Sequence, residues 1–405
     1  MASFVTHLEA SIDGTRHDHR SLATTHAGRP LLVRYDFDAV KRAVDRDRLA
    51  TRPADLWRFR ELLPVERDEN VVSLGEGTTP LIECARIGRE LGLEHLWVKD
   101  ESHLPTGSFK ARGLALAVSR AKELGVRRVA IPTAGNAGGA LAAYAARAGL
   151  EAYVFLPADT PRVNRGEAAL FGARVVQVDG LITDCAALVQ AGAERMGWFD
   201  LSTLKEPYRL EGKKTMGLEL AQQLGWRLPD VILYPTGGGT GLLGMAKAFD
   251  ELEALGWLDD ARRPRFYACQ SDGCAPIVRA FERGERFAEP VLDAHTVASG
   301  LRVPRAVADF LILDAVRRSK GAARAAPEGE LLPWMRRVSA REGIGLCPES
   351  GACFAVLARL VDEGAVARDE RVVVFNTGAA QKYVECLPDD GPRLARGATP
   401  DWDHL

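Results

Sequence analysis

From about residue 71 the chain alternates short β-branched runs with longer segments rich in alanine and leucine. The apolar runs at 96–99, 128–132, 152–156, 174–178, 231–234, 265–270 and 372–375 read as buried strands, since a strand covered on both faces needs no polar alternation. Between them, residues 111–124, 137–148, 164–171, 185–196, 216–224, 242–255 and 352–362 have the length and composition of helices. Strands alternating with helical segments predict parallel sheets with helices on both faces. The expected fold class is α/β, two interleaved parallel-sheet lobes with ligands outside the carboxyl ends of the strands. Residues 1–50 read as the least regular part, polar and rich in His and Arg. No repeat and no low-complexity linker divides the chain.

Composition narrows the function classes. The 405 residues carry 53 basic and 55 acidic side chains, a net charge of −2, which argues against a nucleic-acid partner held by phosphate neutralisation. The longest charge-free stretches, 129–146 and 231–246, are broken by Gly and Pro, so no membrane span is expected. The first residues lack the series of a secretion signal, and a cytoplasmic protein is the expectation. The seven cysteines include no CxxC pair and read as reduced thiols filling apolar gaps. Nothing beside Cys185 or Cys347 in sequence would lower a thiol pKa and make a nucleophile.

Four segments carry candidate chemistry. Strand, glycines and helix follow one another through Val-Ile-Leu-Tyr-Pro-Thr-Gly-Gly-Gly-Thr-Gly, 231–241. Gly237, Gly238, Gly239 and Gly241 open the backbone N–H groups at a helix N-terminus, which suits a phosphate dianion. The same run contains a literal GxGxxG, so a nicotinamide dinucleotide is an alternative, although Gln270 stands where a ribose-binding acid is sought, with Asp272 just beyond. In Ser108-Phe109-Lys110, a lysine occupies the first turn of a helix, where the dipole disfavours a cation. With partial burial, that field would keep the amine neutral enough to attack a carbonyl.

Thr133-Ala134-Gly135-Asn136-Ala137 again runs from strand to helix, with amides open to a carboxylate, while Thr133 or Asn136 serves equally well as a helix cap. Asn376-Thr377-Gly378 ends a buried strand. The Thr377 hydroxyl can face a heterocycle nitrogen or satisfy its own turn.

Together these segments, in this order between about residues 71 and 385, resemble the pyridoxal-phosphate enzymes of the tryptophan-synthase β-subunit fold, fold type II. Within that group the chain is most similar to threonine synthases, through 31–36, 75–80, 206–215 and 376–378. The resemblance implies a Schiff base between Lys110 and pyridoxal 5'-phosphate, with Phe109 beside it and Asn136 on the phenolic oxygen. Gly237, Gly238, Gly239, Thr240 and Gly241 would hold the phosphate, and Thr377 would face the ring nitrogen. Thr133, Ala134, Gly135, Asn136 and Ala137 would receive the α-carboxylate of a small amino-acid substrate. It further implies a large cofactor-binding domain of 71–104 and 206–405, a small mobile domain of 105–205, and a homodimer. The expected reaction is that of a carbon–oxygen lyase, converting O-phosphohomoserine and water to threonine and phosphate. Alternatives are a threonine or serine dehydratase, a β-replacement enzyme, a dehydrogenase, or a silent relative that binds without turnover.

Three departures from the threonine-synthase pattern stand out. Residues 1–70 read as an extension with a degenerate zinc ribbon, because Ala10, Asp13, Thr24 and Ala27 occupy the thiolate positions and no metal is expected. Asp13, His17, His19 and His26 are the remaining potential ligands there. The loop at 237–241 has no Asn, and Gly378-Ala-Ala-Gln-Lys382 replaces the usual Gly-x-Gly-Leu-Lys. For a substrate phosphate the candidate cations are Arg209, Lys213 and Lys214, with Arg162 and Arg165 nearby, each otherwise an exposed charge. Glu349, beside Pro348 ahead of an apolar helix, suits a helix N-terminus and is a further candidate for the cofactor face.

Overall fold

Val231–Pro235 is buried at every position and pairs in parallel with Arg265–Ser271 on one side and Arg371–Asn376 on the other. The computed structural model, which describes residues 3–388, 391 and 393–402, builds a six-stranded sheet outward from this centre. Ala322–Ala326 flanks Arg265–Ser271, and His95–Asp100 then Leu81–Glu83 extend the other side. Every pairing in it is parallel except that of Leu81–Glu83 with His95–Asp100. A second sheet, all parallel, takes the order Phe199–Asp200, Arg128–Pro132, Glu151–Pro157, Arg174–Val178. Its strands fall between those of the first, so the two sheets are interleaved in sequence.

The N-terminus overturns the expectation of irregularity. Val5–Ala10 and Arg29–Tyr35 pair antiparallel, with two-residue partners at Arg16–His17 and Thr25–His26. Leu8, Ala10, Leu31, Val33 and Tyr35 turn inward from these strands, while Glu9, Arg34 and the half-buried Leu32 face the other way. In Val5–Ala10 this alternation, the mark of a sheet with one covered face, leaves no wholly apolar run to signal a strand. Asp13, His17 and His26 meet there, with His17 Nε2 3.1 Å from His26 Nδ1 and His26 Nε2 3.2 Å from Asp13 Oδ2. His19 lies apart, 3.2 Å from Glu66.

Most of the parallel strands lead into a helix, whereas Arg371–Asn376 leads into the short turn Ala380–Lys382. Lys110–Glu123, Ala137–Ala148, Thr240–Leu255 and Pro348–Asp362 all begin near one side of the sheets. Tyr208–Gln223 starts eight residues before the predicted 216, because its first turns are charged yet buried. Arg209, Glu211, Lys213 and Lys214 carry no hydrophobic signal there, so the apolar pattern starts late. The helix crosses Lys110–Glu123 so closely that a Cβ on Gly212 would lie 2.0 Å from the Arg112 carbonyl oxygen. Around the crossing, Arg112 pairs with Glu101 at 2.6 Å and with Glu219 at 3.0 Å, and Glu219 also pairs with Lys99. Lys214 pairs with Glu211 at 2.6 Å and with Glu251 at 2.8 Å.

Candidate active site

The carboxyl ends of four strands converge on one cavity. Strand register sets the alignment, since Asn376 lies opposite Asp100 and Val374 opposite Leu233. The segments following these ends, at 109–110, 133–137, 237–241 and 377, all line the cavity, with Glu349 and Tyr383 opposite them. The residues nominated from sequence for the cofactor and the α-carboxylate are therefore brought to one place, whereas the cations nominated for a substrate phosphate are not.

Lys110 opens the helix Lys110–Glu123, and its Nζ sits over the Phe109 ring, 3.9 Å from the centroid. Burial, then the neighbouring Arg209 charge, brings its pKa down to about 8, with Glu349 acting in the opposite direction. Desolvation and a nearby guanidinium are thus the largest causes, rather than the helix dipole invoked from sequence. Lys213 packs against the same ring, 4.2 Å from its centroid, and donates to the Phe109 carbonyl. Burial and the Lys110 charge push the Lys213 amine well below its ordinary range.

The glycine run forms an amide cradle. Gly239, at φ +76°, is the N-cap of Thr240–Leu255 with no side-chain cap. Among the described residues no acceptor meets the amides of 238–242, and the first helical bond runs from Leu243 to Gly239. Unpaired donors in the positive field of a buried helix end suit a dianion. Packing also contributes to the glycine requirement. A Cβ on Gly241 would fall 1.9 Å from the Tyr234 hydroxyl, and one on Gly239 would fall 2.2 Å from Ile312 Cδ1.

Asn136 does not cap its helix. It adopts helical backbone angles without a capping bond, and its Nδ2 donates to the Tyr383 hydroxyl at 3.1 Å. Its Oδ1 is buried without a partner among the described residues. Thr133 does serve the turn, accepting from the Gly135 amide at 3.1 Å. The amides of Ala134, Asn136 and Ala137 meet no acceptor among the described residues, which leaves a second set of donors beside the first. Thr377 is buried at the strand end, and its hydroxyl lies 3.6 Å from Cys347 Sγ.

Several sequence expectations change here. Arg209, Lys213 and Lys214 are not surface charges; all three are closed into the core, and none lines the cavity. Arg209 donates to the Leu201 carbonyl at 2.8 Å, while its Nε and Nη2 find no partner among the described residues. Arg162 and Arg165 lie off the cavity, and Arg165 donates to Gln177 at 2.6 Å. Besides Lys110, the described cations that line it are Lys205, Arg302 and Arg305, which sequence reading missed. Cys347 is pushed up to about 12 by burial and by Glu349, and Cys185 to about 11 by burial and Asp184, so neither is a ready nucleophile. Gln270 is consumed internally, donating to the Thr236 carbonyl and accepting from the Ile277 and Val278 amides. Asp272, the first residue beyond the strand, accepts from the Glu328 amide at 3.0 Å and does not line the cavity, so it is not placed for a dinucleotide ribose there.

Glu349 and Tyr383 complete the wall. Glu349 stands in the first turn of Pro348–Asp362, and its Oε1 accepts from the Gly300 amide at 2.7 Å and the Tyr383 hydroxyl at 2.8 Å. Burial and the Glu349 charge hold the Tyr383 phenol well above its ordinary pKa. Tyr383 was missed because it follows a stretch that departs from the expected motif, where nothing local marks a tyrosine as facing a site.

The pyridoxal-phosphate dependent enzyme family matches residues 72–378. A threonine synthase from Methanocaldococcus jannaschii is 36% identical over 360 residues, covering 89% of this chain and 88% of that protein. One from Methanosarcina acetivorans is 38% identical over 358 residues, covering 88% and 87%. Among solved structures, maize serine racemase superposes with a TM-score of 0.67 at 20% identity, covering 81% of this chain and 94% of that one. A threonine deaminase from T.th. gives a TM-score of 0.62 at 25% identity, covering 78% and 94%.

Proposed function

This chain belongs to the pyridoxal-phosphate dependent enzyme family, and we propose that it is a threonine synthase-like lyase taking O-phosphohomoserine and water to threonine and phosphate. The cofactor is pyridoxal 5'-phosphate, and the side chains present fit it. The unpaired amides of 238–242 suit its phosphate, and the partnerless Asn136 Oδ1 and the Thr377 hydroxyl offer contacts for polar groups of its ring. Bound there, the cofactor supplies the electron sink that stabilises charge developing at a substrate α-carbon.

The remaining work falls to side chains and amides of this chain. Lys110, with an amine pKa near 8, exchanges protons at the α-carbon close to neutral pH. The amides of Ala134, Asn136 and Ala137 orient the substrate's carboxylate, while Asn136 keeps one donor on Tyr383. Thr377 presents a neutral hydroxyl, so it places no anion beside the ring nitrogen. Lys205, Arg302 and Arg305 line the cavity as receivers for a phosphate tail, the place first given to Arg209. The reading takes 71–104 with 206–405 as the large domain and 105–205 as a small domain that moves, in a cytoplasmic homodimer.

One observation carries the reading: a buried lysine amine with a lowered pKa shares its cavity with an unpaired amide cradle. The test supplies O-phosphohomoserine to the purified holoenzyme and follows phosphate and threonine together. A second reading, dehydration of serine or threonine, is favoured by the enclosure of Arg209, Lys213 and Lys214 away from the cavity. Keto acid and ammonia from serine or threonine, without phosphate-dependent threonine formation, would select it.

A further inference from the structure

We propose that Glu349 is a second catalytic residue, the base that takes the proton of the incoming water, and that Tyr383 is its positioning residue. The inference rests on the threonine synthase-like reading above. Glu349 is 3% exposed and lines the cavity, and its two oxygens have unlike surroundings. Oε1 is fixed by the Gly300 amide and the Tyr383 hydroxyl, whereas Oε2 is buried with no hydrogen-bond partner among the described residues. A buried carboxylate oxygen left without a donor is unfavourable unless a ligand supplies one.

The anchoring is built into the backbone. A Cβ on Gly300 would lie 2.7 Å from Oε1, so this position must be glycine for the carboxylate to seat against its amide. The first turn of Pro348–Asp362 adds the positive end of a helix to the same carboxylate. Tyr383, its phenol held protonated, donates to Glu349 and accepts from Asn136, so one hydroxyl ties the carboxylate to the residue assigned to the cofactor. Lys110 feels the Glu349 charge, which puts the carboxylate within electrostatic reach of the reacting centre.

A division of labour follows. Once phosphate has left the γ-carbon and a proton taken earlier from the substrate has been returned there, the substrate holds an α,β double bond, and the water oxygen bonds to its β-carbon as one O–H bond breaks. The released proton goes to Glu349 Oε2. The electron pair of the α,β double bond moves to the α-carbon, where a proton from Lys110 completes the addition. Exchange with solvent then returns the proton from Glu349, so the net change is the addition of water.

The holoenzyme variant Glu349→Gln keeps the size of the side chain and an acceptor for Gly300 and Tyr383. Threonine formation is expected to fall about 100-fold or more, while deuterium uptake at the substrate α-carbon from heavy water stays within about threefold. Cofactor affinity, read by absorbance titration of the apoprotein, is expected to be unchanged. Equal threonine formation in variant and wild type overturns the assignment, and so does a parallel loss of α-exchange or cofactor affinity. Tyr383→Phe gives an independent arm. It removes the donor that fixes Oε1, so threonine formation should fall while α-carbon exchange stays within about threefold, and unchanged threonine formation, or an equal loss of both, overturns the proposal. A wild-type enzyme that makes no threonine from O-phosphohomoserine overturns the proposed function and takes this assignment with it. A wild-type enzyme that makes threonine, matched by its Gln variant, overturns this assignment alone.

Discussion

Arg302 grips Asp159 through two hydrogen bonds, 2.9 and 3.0 Å long, joining the loop after Glu151–Pro157 to the loop that roofs the cavity. The two loops belong to different sheets, so this pair spans the cleft. Asp159→Asn should weaken closure over the substrate. Because Asp159 is largely exposed, KM is expected to rise only about two- to fivefold with kcat nearly constant, as steady-state kinetics will show.

Lys110→Ala is expected to lower turnover by at least about a thousandfold and to abolish the visible absorbance of the loaded enzyme. The wild-type protein makes a companion prediction about pH. A lysine attacks as the neutral amine, and that form gains population as pH rises through about 8. The rate of cofactor reloading into apoprotein should therefore climb through that range and level off above it, as stopped-flow absorbance will record.

Gly239→Ala forces a side chain onto a φ of +76° and sets its Cβ against Ile312. The backbone strain is expected to reduce stability by about 1–3 kcal/mol and to weaken cofactor binding, since the cradle amides shift with it. Urea unfolding measures the first effect, and titration of apoprotein with pyridoxal phosphate the second.

Glu219→Gln removes the shared partner of Lys99 and Arg112 and leaves two buried cations short of charge. The expected loss is about 3–5 kcal/mol by urea denaturation. The Arg112 and Lys99 charges outweigh desolvation and hold the Glu219 carboxyl down at about 2. Its contribution is complete above the ordinary carboxylate range and disappears as pH falls toward about 2, so the variant should show a flatter acid limb of stability.

Much of the cavity was legible because its parts are local. Strand, glycines and helix succeed one another within 231–255, and Lys110 and Asn136 each stand at a helix start beside a strand end. Seven predicted strands occupy their places to within a residue or so. Ala322–Ala326 was missed because alanine and arginine give no strand signal, and Glu328–Glu342 because Pro333 interrupts its pattern. Side-chain partners distant in sequence were not legible either. Tyr383 and Asn136 are separated by 247 positions, and only the folded sheets bring them within a hydrogen bond. The surface reading of Lys213 and Lys214 failed for a related reason, as Phe109 and Glu251 lie across helix contacts that no periodicity encodes, while the pair of Glu211 and Lys214, three residues apart on one helix, reads equally well as an exposed one.

The helix Tyr208–Gln223 behaves as an indexing pin. Turning it by one residue, about 100°, would swing Glu219 off Arg112, Lys214 off Glu251 and Lys213 off the Phe109 carbonyl, each into a dry interior. Few wrong settings are tolerable when every misfit strands a charge. The seat beneath Lys110 is consequently fixed in rotation as well as in depth, so substitutions can accumulate at the cavity rim while the reactive amine keeps its bearing.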